Sequence, residues 1–77
     1  MLRFKFDIDS DSLRYDRDTH TVTMTVQPLV ADYDEAALVQ MGWGIMASCR
    51  AVQRLVMTVE MDDMAVALDR LPLRRVA

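Results

Sequence analysis

Three aspartates spaced two residues apart form the sharpest chemical motif in this 77-residue sequence. Asp7, Asp9 and Asp11 match the Asp-x-Asp-x-Asp start of a calcium-binding loop. Asp18 stands at the twelfth position, where such a loop has its last ligand. The sixth position, however, holds Ser12 instead of the glycine that the turn requires, and the segment entering the motif alternates like a strand. We therefore expect an acidic strand end, with no metal or other cofactor.

Residues suited to acid–base or nucleophilic chemistry are scarce. His20 is the only histidine, so any proton-transfer scheme must pass through it. No glycine-flanked nucleophile turn accompanies the candidate serines Ser10, Ser12 and Ser48. We expect His20 to be a partly buried structural residue and Cys49, the single cysteine, to be a small core residue. The sequence thus predicts a protein that is not an enzyme.

Charge limits the kinds of partner. The formal net charge is −3 at pH 7, the wrong sign for a protein that neutralises phosphates, so direct nucleic-acid binding is not expected. Residues 1–35 hold eight acidic and four basic side chains, which places the acidic potential in the N-terminal part. The predicted acidic surface consists of Asp7, Asp9, Asp11, Asp16 and Asp18.

Length, cysteine content and hydropathy predict one cytoplasmic domain over residues 1–77. Hydrophobic residues make up 52% of the chain and charged residues 27%, as in a soluble globular domain. One cysteine cannot form an intrachain disulfide, which favours a reducing compartment. The first residues alternate charged and aromatic types, unlike a signal peptide. The longest uncharged stretch, residues 36–49, is shorter than the roughly twenty residues that a bilayer requires, so no membrane association is expected.

Alternating apolar and polar residues predict three strands in the N-terminal half. Residues 2–8 alternate, with apolar side chains on one side and Arg3, Lys5, Asp7 and Asp9 on the other. After a polar break at residues 9–12, a short strand at residues 13–15 runs into a turn. Residues 19–27 alternate threonine with valine and methionine until Pro28 ends the strand.

The C-terminal half predicts a helix, a strand and a second helix. Acidic residues 32–35 would cap a helix that runs to about residue 53, with an apolar stripe at Leu38, Met41, Ile45, Cys49 and Val52. Residues 55–61 alternate like a strand. Asp62 and Asp63 would cap a short helix over residues 64–71, or alternatively turn a hairpin.

The predicted order β-β-β-α-β-α indicates an α+β fold. We expect a small, mainly antiparallel sheet, with one long central helix packed on one face and a short C-terminal helix. The other face of the sheet should be wet, with Asp7 and Asp9 beside Thr21, Thr23 and Thr25.

The central helix is apolar on more sides than one sheet can cover. Beside its main stripe, a second arc and a side of small residues remain, and we predict that they bind a partner through Val39, Trp43, Gly44, Met46 and Ala47. Alternatively, the C-terminal helix covers this surface and Trp43 is a core residue. Gly42 and Gly44 each cost roughly 1 kcal/mol inside a helix. Close approach of another backbone explains them better than a break in the helix.

Two functions fit these features. The first is a non-catalytic protein–protein interaction module, homodimeric through the central helix. The alternative is a small acidic inhibitor or decoy of the kind that mobile elements and phages make, which would occupy a basic nucleic-acid-binding groove on its target. Basic residues between the aspartates weaken the alternative: Arg3, Lys5, Arg14 and Arg17.

Overall fold

Two β-hairpins joined by one helix make up the fold. The computed structural model describes residues 5–70. The first hairpin is β1 (Phe6–Asp16) with β2 (Thr21–Pro28), the helix is α1 (Glu35–Ser48), and the second hairpin is β3 (Arg54–Val59) with β4 (Ala65–Asp69). The strands lie in the order β1-β2-β3-β4. The two outer pairs are antiparallel and the central pair, β2 with β3, is parallel.

The period-two pattern of the strands separates a buried face of the sheet from an open one. Beneath α1 the sheet buries Met24, Val26, Leu55, Met57, Val59, Val66 and Leu68. On the opposite face, Thr21, Thr23 and Thr25 lie in register with Arg54, Val56 and Thr58 of β3. Asp7 and Asp9 of β1 are register partners of Gln27 and Thr25 on this same face. The predicted pairing is therefore confirmed for Asp9 with Thr25, whereas Thr23 and Thr21 pair with Arg14 and Asp16.

Helix α1 begins where the sequence predicts. The Asp34 carboxylate accepts the backbone N–H of Ala37 at 2.9 Å, as an N-cap does, and Glu35 supplies a negative charge in the first turn. The helix packs over β3 and β4 and buries Leu38, Met41, Gly42 and Met46. In the part of the chain that the structure describes, no helix is long and apolar enough to cross a membrane.

Arg70 ties the end of β4 to the end of α1. Its Nη2 donates to the carbonyl oxygens of Met46 at 2.6 Å and Cys49 at 3.3 Å, and its Nε donates to that of Val52 at 3.1 Å. The last carbonyl groups of a helix lack intrahelical partners and carry partial negative charge. A guanidinium group from another element therefore closes the helix.

The predicted break between the first two strands is a bulge within one strand. The pairing of β1 with β2 shifts between Asp9 and Arg14. The Ser12 hydroxyl accepts the N–H of Thr25 at 2.8 Å and donates to the carbonyl oxygen of Asp9 at 2.6 Å. A side chain thus replaces a missing ladder bond, so the order β-β-β-α-β-α is wrong at this point. Residues 2–4 of the first predicted strand, including Arg3, lie outside the described residues.

The predicted C-terminal helix is also wrong, because residues 65–69 form β4. Buried Val66 and Leu68 alternate with exposed neighbours, and β4 pairs with β3 from Ala65 to Asp69. The alternative, a hairpin turning at Asp62 and Asp63, is correct. Leu71, assigned to the predicted helix, lies outside the described residues. The sheet is mixed and not mainly antiparallel, because α1 returns the chain to the end of the sheet where β2 began.

The central helix is shorter than predicted. It ends at Ser48, not near residue 53, and it continues unbroken through Gly42 and Gly44. The next residues turn back to the sheet, where the carbonyl oxygen of His20 accepts the N–H of Gln53 at 2.8 Å. This turn allows Val52 to join the core, 7% exposed, outside the helix.

Met61 occupies a backbone conformation that glycine adopts more readily. It lies in the turn between β3 and β4 with φ of 60°, and its side chain is 99% exposed. We expect Met61→Gly to raise the free energy of unfolding by about 0.5–1 kcal/mol, since it relieves left-handed strain without loss of packing. Urea denaturation measures the change. The control Glu60→Gly, at a position without positive φ, should lower stability; equal effects of the two substitutions would contradict the explanation.

Candidate functional site

The side of α1 that faces away from the sheet is exposed and carries no charge. We call this surface the outer face of α1; it consists of Ala36, Gln40, Trp43, Gly44 and Ala47, all exposed. No charged residue occurs from position 36 to position 49. A solvent-facing helix surface normally holds charged and polar residues, whereas here Trp43 is 45% exposed among small neighbours. The outer face therefore has the character of a contact surface.

The structure separates the predicted partner-binding residues into three groups. Trp43, Gly44 and Ala47 lie on the outer face, and Val39 is half-buried. Met46 is in the core with 0% exposure, so its assignment to a contact patch is wrong. It lies four residues after Gly42 and thus on the side of the helix that faces the sheet. Ala36 and Gln40 were not among the predicted partner-binding residues; the direction of the packed side shows that they belong to the outer face.

Other large apolar side chains are exposed, and three of them belong to β1, where Ile8 and Tyr15 lie on the same side of the sheet as α1. Helix α1 packs over β3 and β4 and leaves much of β1 uncovered. The exposed residues are Ile8, Leu13 and Tyr15 on β1, Leu29 and Val30 after β2, and Met61 in the last turn. The outer face of α1 differs from these because it is one regular surface on a single helix.

The predicted acidic surface follows β1 and the turn after it. Asp7, Asp9 and Asp16 lie on the open side of the strand, Asp11 lies in the bulge and Asp18 lies in the turn, and all five are exposed. Two of the carboxylates shape the backbone locally. Asp9 Oδ1 accepts the N–H of Asp11 at 3.1 Å, and Asp16 Oδ1 accepts the N–H of Asp18 at 2.9 Å. Residues 5–70 contain no group of three His, Cys, Asp or Glu side chains placed to hold a metal ion.

The two candidate reactive residues differ from their predicted environments. His20 is exposed in the turn before β2, with φ of 54°, instead of partly buried on a strand face. Its Nδ1 shares a hydrogen bond of 2.9 Å with the hydroxyl of Tyr15. Cys49 is exposed rather than in the core, because α1 ends one residue earlier and Cys49 serves as its C-cap. Within residues 5–70, the hydrogen bond to Tyr15 is the one hydrogen bond that the side chain of either His20 or Cys49 makes.

The open face of the sheet is polar and internally paired at one end. Asp16, Thr21, Arg54 and Asp69 form a row across all four strands, beside a shallow depression of about 800 Å³. Arg54 binds Asp69 through two hydrogen bonds, of 2.6 Å and 3.1 Å. These bonds hold the pKa of the Asp69 carboxyl below its ordinary value. The opposite charges of Arg54 and Asp69 therefore pair with each other and link β3 to β4.

Tyr33 links the two loops at the other end of the sheet. Its ring packs edge-on against Phe6, with centroids 5.4 Å apart, and its hydroxyl donates to the Asp62 carboxylate. This hydrogen bond lowers the pKa of Asp62 and raises the pKa of Tyr33. The loop before α1 is thereby joined to the β3–β4 turn.

We expect Tyr33→Phe to move the pKa of Asp62 back towards its ordinary value. Because the folded-state pKa of Asp62 is lowered, its contribution to stability is complete above its unfolded-state pKa and is lost as the pH falls through the folded value. In the Tyr33→Phe variant, the free energy of unfolding should therefore decrease less as the pH falls. Carboxyl-carbon NMR titration of Asp62 measures the shift, with Asp69 as internal reference because it keeps its bonds to Arg54. An Asp62 pKa that is the same in both proteins would contradict the assignment.

The outer face of α1 is thus the candidate site, on the basis of exposure, lack of charge and one large aromatic side chain. No protein family, curated protein or solved structure was found to match this chain.

Proposed function

We propose that this protein is a non-catalytic protein–protein interaction module that forms a homodimer through the outer face of α1. One observation carries the proposal: Trp43 is 45% exposed at the centre of an uncharged helix surface. Complete burial of a tryptophan removes about 150–250 Å² from water, and the exposed 45% of Trp43 is the part that an interface would still cover. The single cysteine suits a reducing cytoplasm, where we place the module.

A second copy is the simplest partner for this surface. A domain of this size buries few residues for its length and gains from association. Gly44 and Ala47 are small enough for another helix to approach at the usual interaxial distance of about 8–10 Å. Closed symmetric pairs are also the commonest oligomers.

Two alanine substitutions test the interface with the same change on opposite surfaces. Ala47→Glu puts a carboxylate on the outer face, whereas Ala67→Glu puts one on the exposed open face of the sheet. We expect the wild-type protein to have the mass of a dimer by light scattering. Ala47→Glu should raise the dissociation constant of the dimer at least about ten-fold, since an unpaired charge is costly to bury. Ala67→Glu should leave the constant unchanged.

Either of two results would contradict the proposal. The first is a wild-type monomer at every accessible concentration. The second is a dimer that Ala47→Glu and Ala67→Glu weaken to the same extent, which would place the interface elsewhere.

The acidic decoy remains a second candidate because all five carboxylates of the acidic surface are exposed along one edge strand and the turn after it. β1 has 11 residues and extends over about 35 Å, long enough to lie along a basic groove. Arg14 and Arg17 in the same segment oppose this function. Charge reversal at Asp9 and Asp11 separates the candidates: partner binding that resists both the reversal and high salt would exclude the decoy.

A further inference from the structure

The described residues carry opposite net charges in the two halves of the sheet. The boundary between the halves crosses the sheet between Thr23 and Thr25 of β2. Each charged residue belongs to the half in which its position on a strand, or its loop, lies. The acidic half lies at the end where α1 begins, and the basic half at the end where α1 terminates. Asp11, in the bulge, lies between them.

The charge difference between the halves is large. The acidic half has one basic and eight acidic residues, a net charge of −7: Lys5, Asp7, Asp9, Asp32, Asp34, Glu35, Glu60, Asp62 and Asp63. The basic half has five basic and three acidic residues, a net charge of +2: Arg14, Arg17, Arg50, Arg54, Arg70, Asp16, Asp18 and Asp69. Residues that are far apart in sequence build each half, so the charge separation exists only in the folded chain.

From this separation we infer that two copies pair with their α1 helices antiparallel. The inference rests on the proposed homodimer and adds its orientation. An antiparallel pair places the acidic start of each α1, with Asp32, Asp34 and Glu35, beside the end of the other α1, which Arg50 follows. The charges on the open face of the sheet lie farther from this interface and contribute less. A parallel pair would instead bring the two acidic starts of α1 side by side, and like charges across an interface oppose binding.

The geometry of α1 fits this arrangement. The outer face runs from Ala36 to Ala47, so its centre lies between Gln40 and Trp43. A two-fold axis through this centre places Ala36 against Ala47 of the partner subunit. Trp43 then faces Gln40 of the partner subunit, whose amide can accept the indole N–H.

A label on the single cysteine measures the orientation of the two helices, and no cysteine has to be introduced. Cys49 follows the last residue of α1 and is exposed. The helix has 14 residues and is about 21 Å long. With helices about 8–10 Å apart, the two Cys49 Cα atoms lie about 25 Å apart in an antiparallel pair and about 10–15 Å apart in a parallel one. Nitroxide labels on Cys49 of the full chain, read by pulsed electron paramagnetic resonance, distinguish these values.

A variant tests the same arrangement by cross-linking. Ala36→Cys adds a thiol at the start of α1, while Cys49 stays at its end. In an antiparallel pair, a short bismaleimide linker should join position 36 of one copy to Cys49 of the other, as peptide mapping would show. The wild-type chain should give little covalent dimer. A parallel pair would give links between identical positions.

The salt dependence of the dissociation constant of the dimer also distinguishes the two orientations. Raising the salt concentration from about 0.1 M to about 1 M shortens the Debye length from about 10 Å to about 3 Å. In an antiparallel pair, salt screens the attraction between opposite charges and also the repulsion due to the net charge of −3 on each copy, so the dissociation constant should change little. In a parallel pair both contributions are repulsive, and the dissociation constant should fall several-fold.

The outcomes separate this inference from the proposed function. A dimer with the long distance and mixed links supports both. A dimer with the short distance, or with links between identical positions, overturns the orientation and leaves the homodimer standing. A monomer at all concentrations overturns both. Growth beyond a dimer with rising concentration overturns the antiparallel pair in favour of end-to-end stacking of acidic on basic halves.

Discussion

Replacing Arg70 by alanine is expected to lower the free energy of unfolding by about 2–3 kcal/mol. The guanidinium group donates to three carbonyl oxygens, those of Met46, Cys49 and Val52. Hydrogen bonds from a charged donor each contribute more than neutral ones, and the variant would leave carbonyl groups at the negative end of α1 without this partner. Urea denaturation measures the loss, and hydrogen exchange in α1 and residues 49–53 locates it.

Two further variants show whether the position of the guanidinium group matters. Arg70→Lys keeps the positive charge but not the planar fork, so an intermediate loss is expected. Arg54→Ala removes an exposed arginine that also makes two hydrogen bonds, but to a surface carboxylate, and should have a much smaller effect. Equal losses in Arg70→Ala and Arg54→Ala would show that Arg70 does not secure the helix end.

Local signals in the sequence account for much of the fold. The alternation of threonine with valine and methionine predicts β2, and the acidic residues around Asp34 predict the start of α1; both predictions are confirmed. The parallel pairing of β2 with β3 also had a signal, since a helix between two strands is the usual crossover of a parallel pair. The interpretation as a mainly antiparallel sheet gave this connection too little weight.

The errors arise where a distant partner decides between two local structures. Residues 64–69 fit the hydrophobic period of a strand and also that of a helix. Val66 and Leu68 alternate with their neighbours as in a strand, while Met64, Ala67 and Leu68 have helical spacing. Pairing with β3 selects the strand. The break before Leu13 disappears for a similar reason, because the Ser12 hydroxyl supplies a bond to β2 that no sequence pattern shows.

The sequence predicts that α1 carries an uncharged contact surface, but it does not predict which side of the helix faces away from the sheet. The absence of charge from position 36 to position 49 indicates a surface that needs cover, and Trp43, Gly44 and Ala47 lie on it. Which side of α1 faces the sheet depends on contacts with β3 and β4, so Met46 was placed on the wrong side. The two charged halves could not be seen at all, since they combine loops and strands from the whole chain.

Replacing Gly42 by valine is expected to lower the free energy of unfolding by about 3 kcal/mol. Gly42 is buried where α1 approaches β3 and β4. A Cβ atom at this position would overlap Met57 Cε and lie 2.5 Å from Leu68 Cδ1. Two further methyl groups would force the helix away from the sheet. Chemical denaturation in the Ala47→Glu background measures the change without the proposed dimer.

Gly44→Val provides the matched control, because Gly44 lies two residues later on the exposed side of the same helix. Valine is a better helix former than glycine, so this variant should be as stable as the parent protein or slightly more stable. Gly42→Ala separates the two effects at the buried site: the gain of roughly 1 kcal/mol in helix propensity should offset part of the cost of displacing the flexible Met57 side chain. Met57→Ala should cost less in the Gly42→Val protein than in the parent, since both changes act on the same space. If Gly42→Val and Gly44→Val were equally stable, close packing of α1 on the sheet would not be the reason for glycine at position 42.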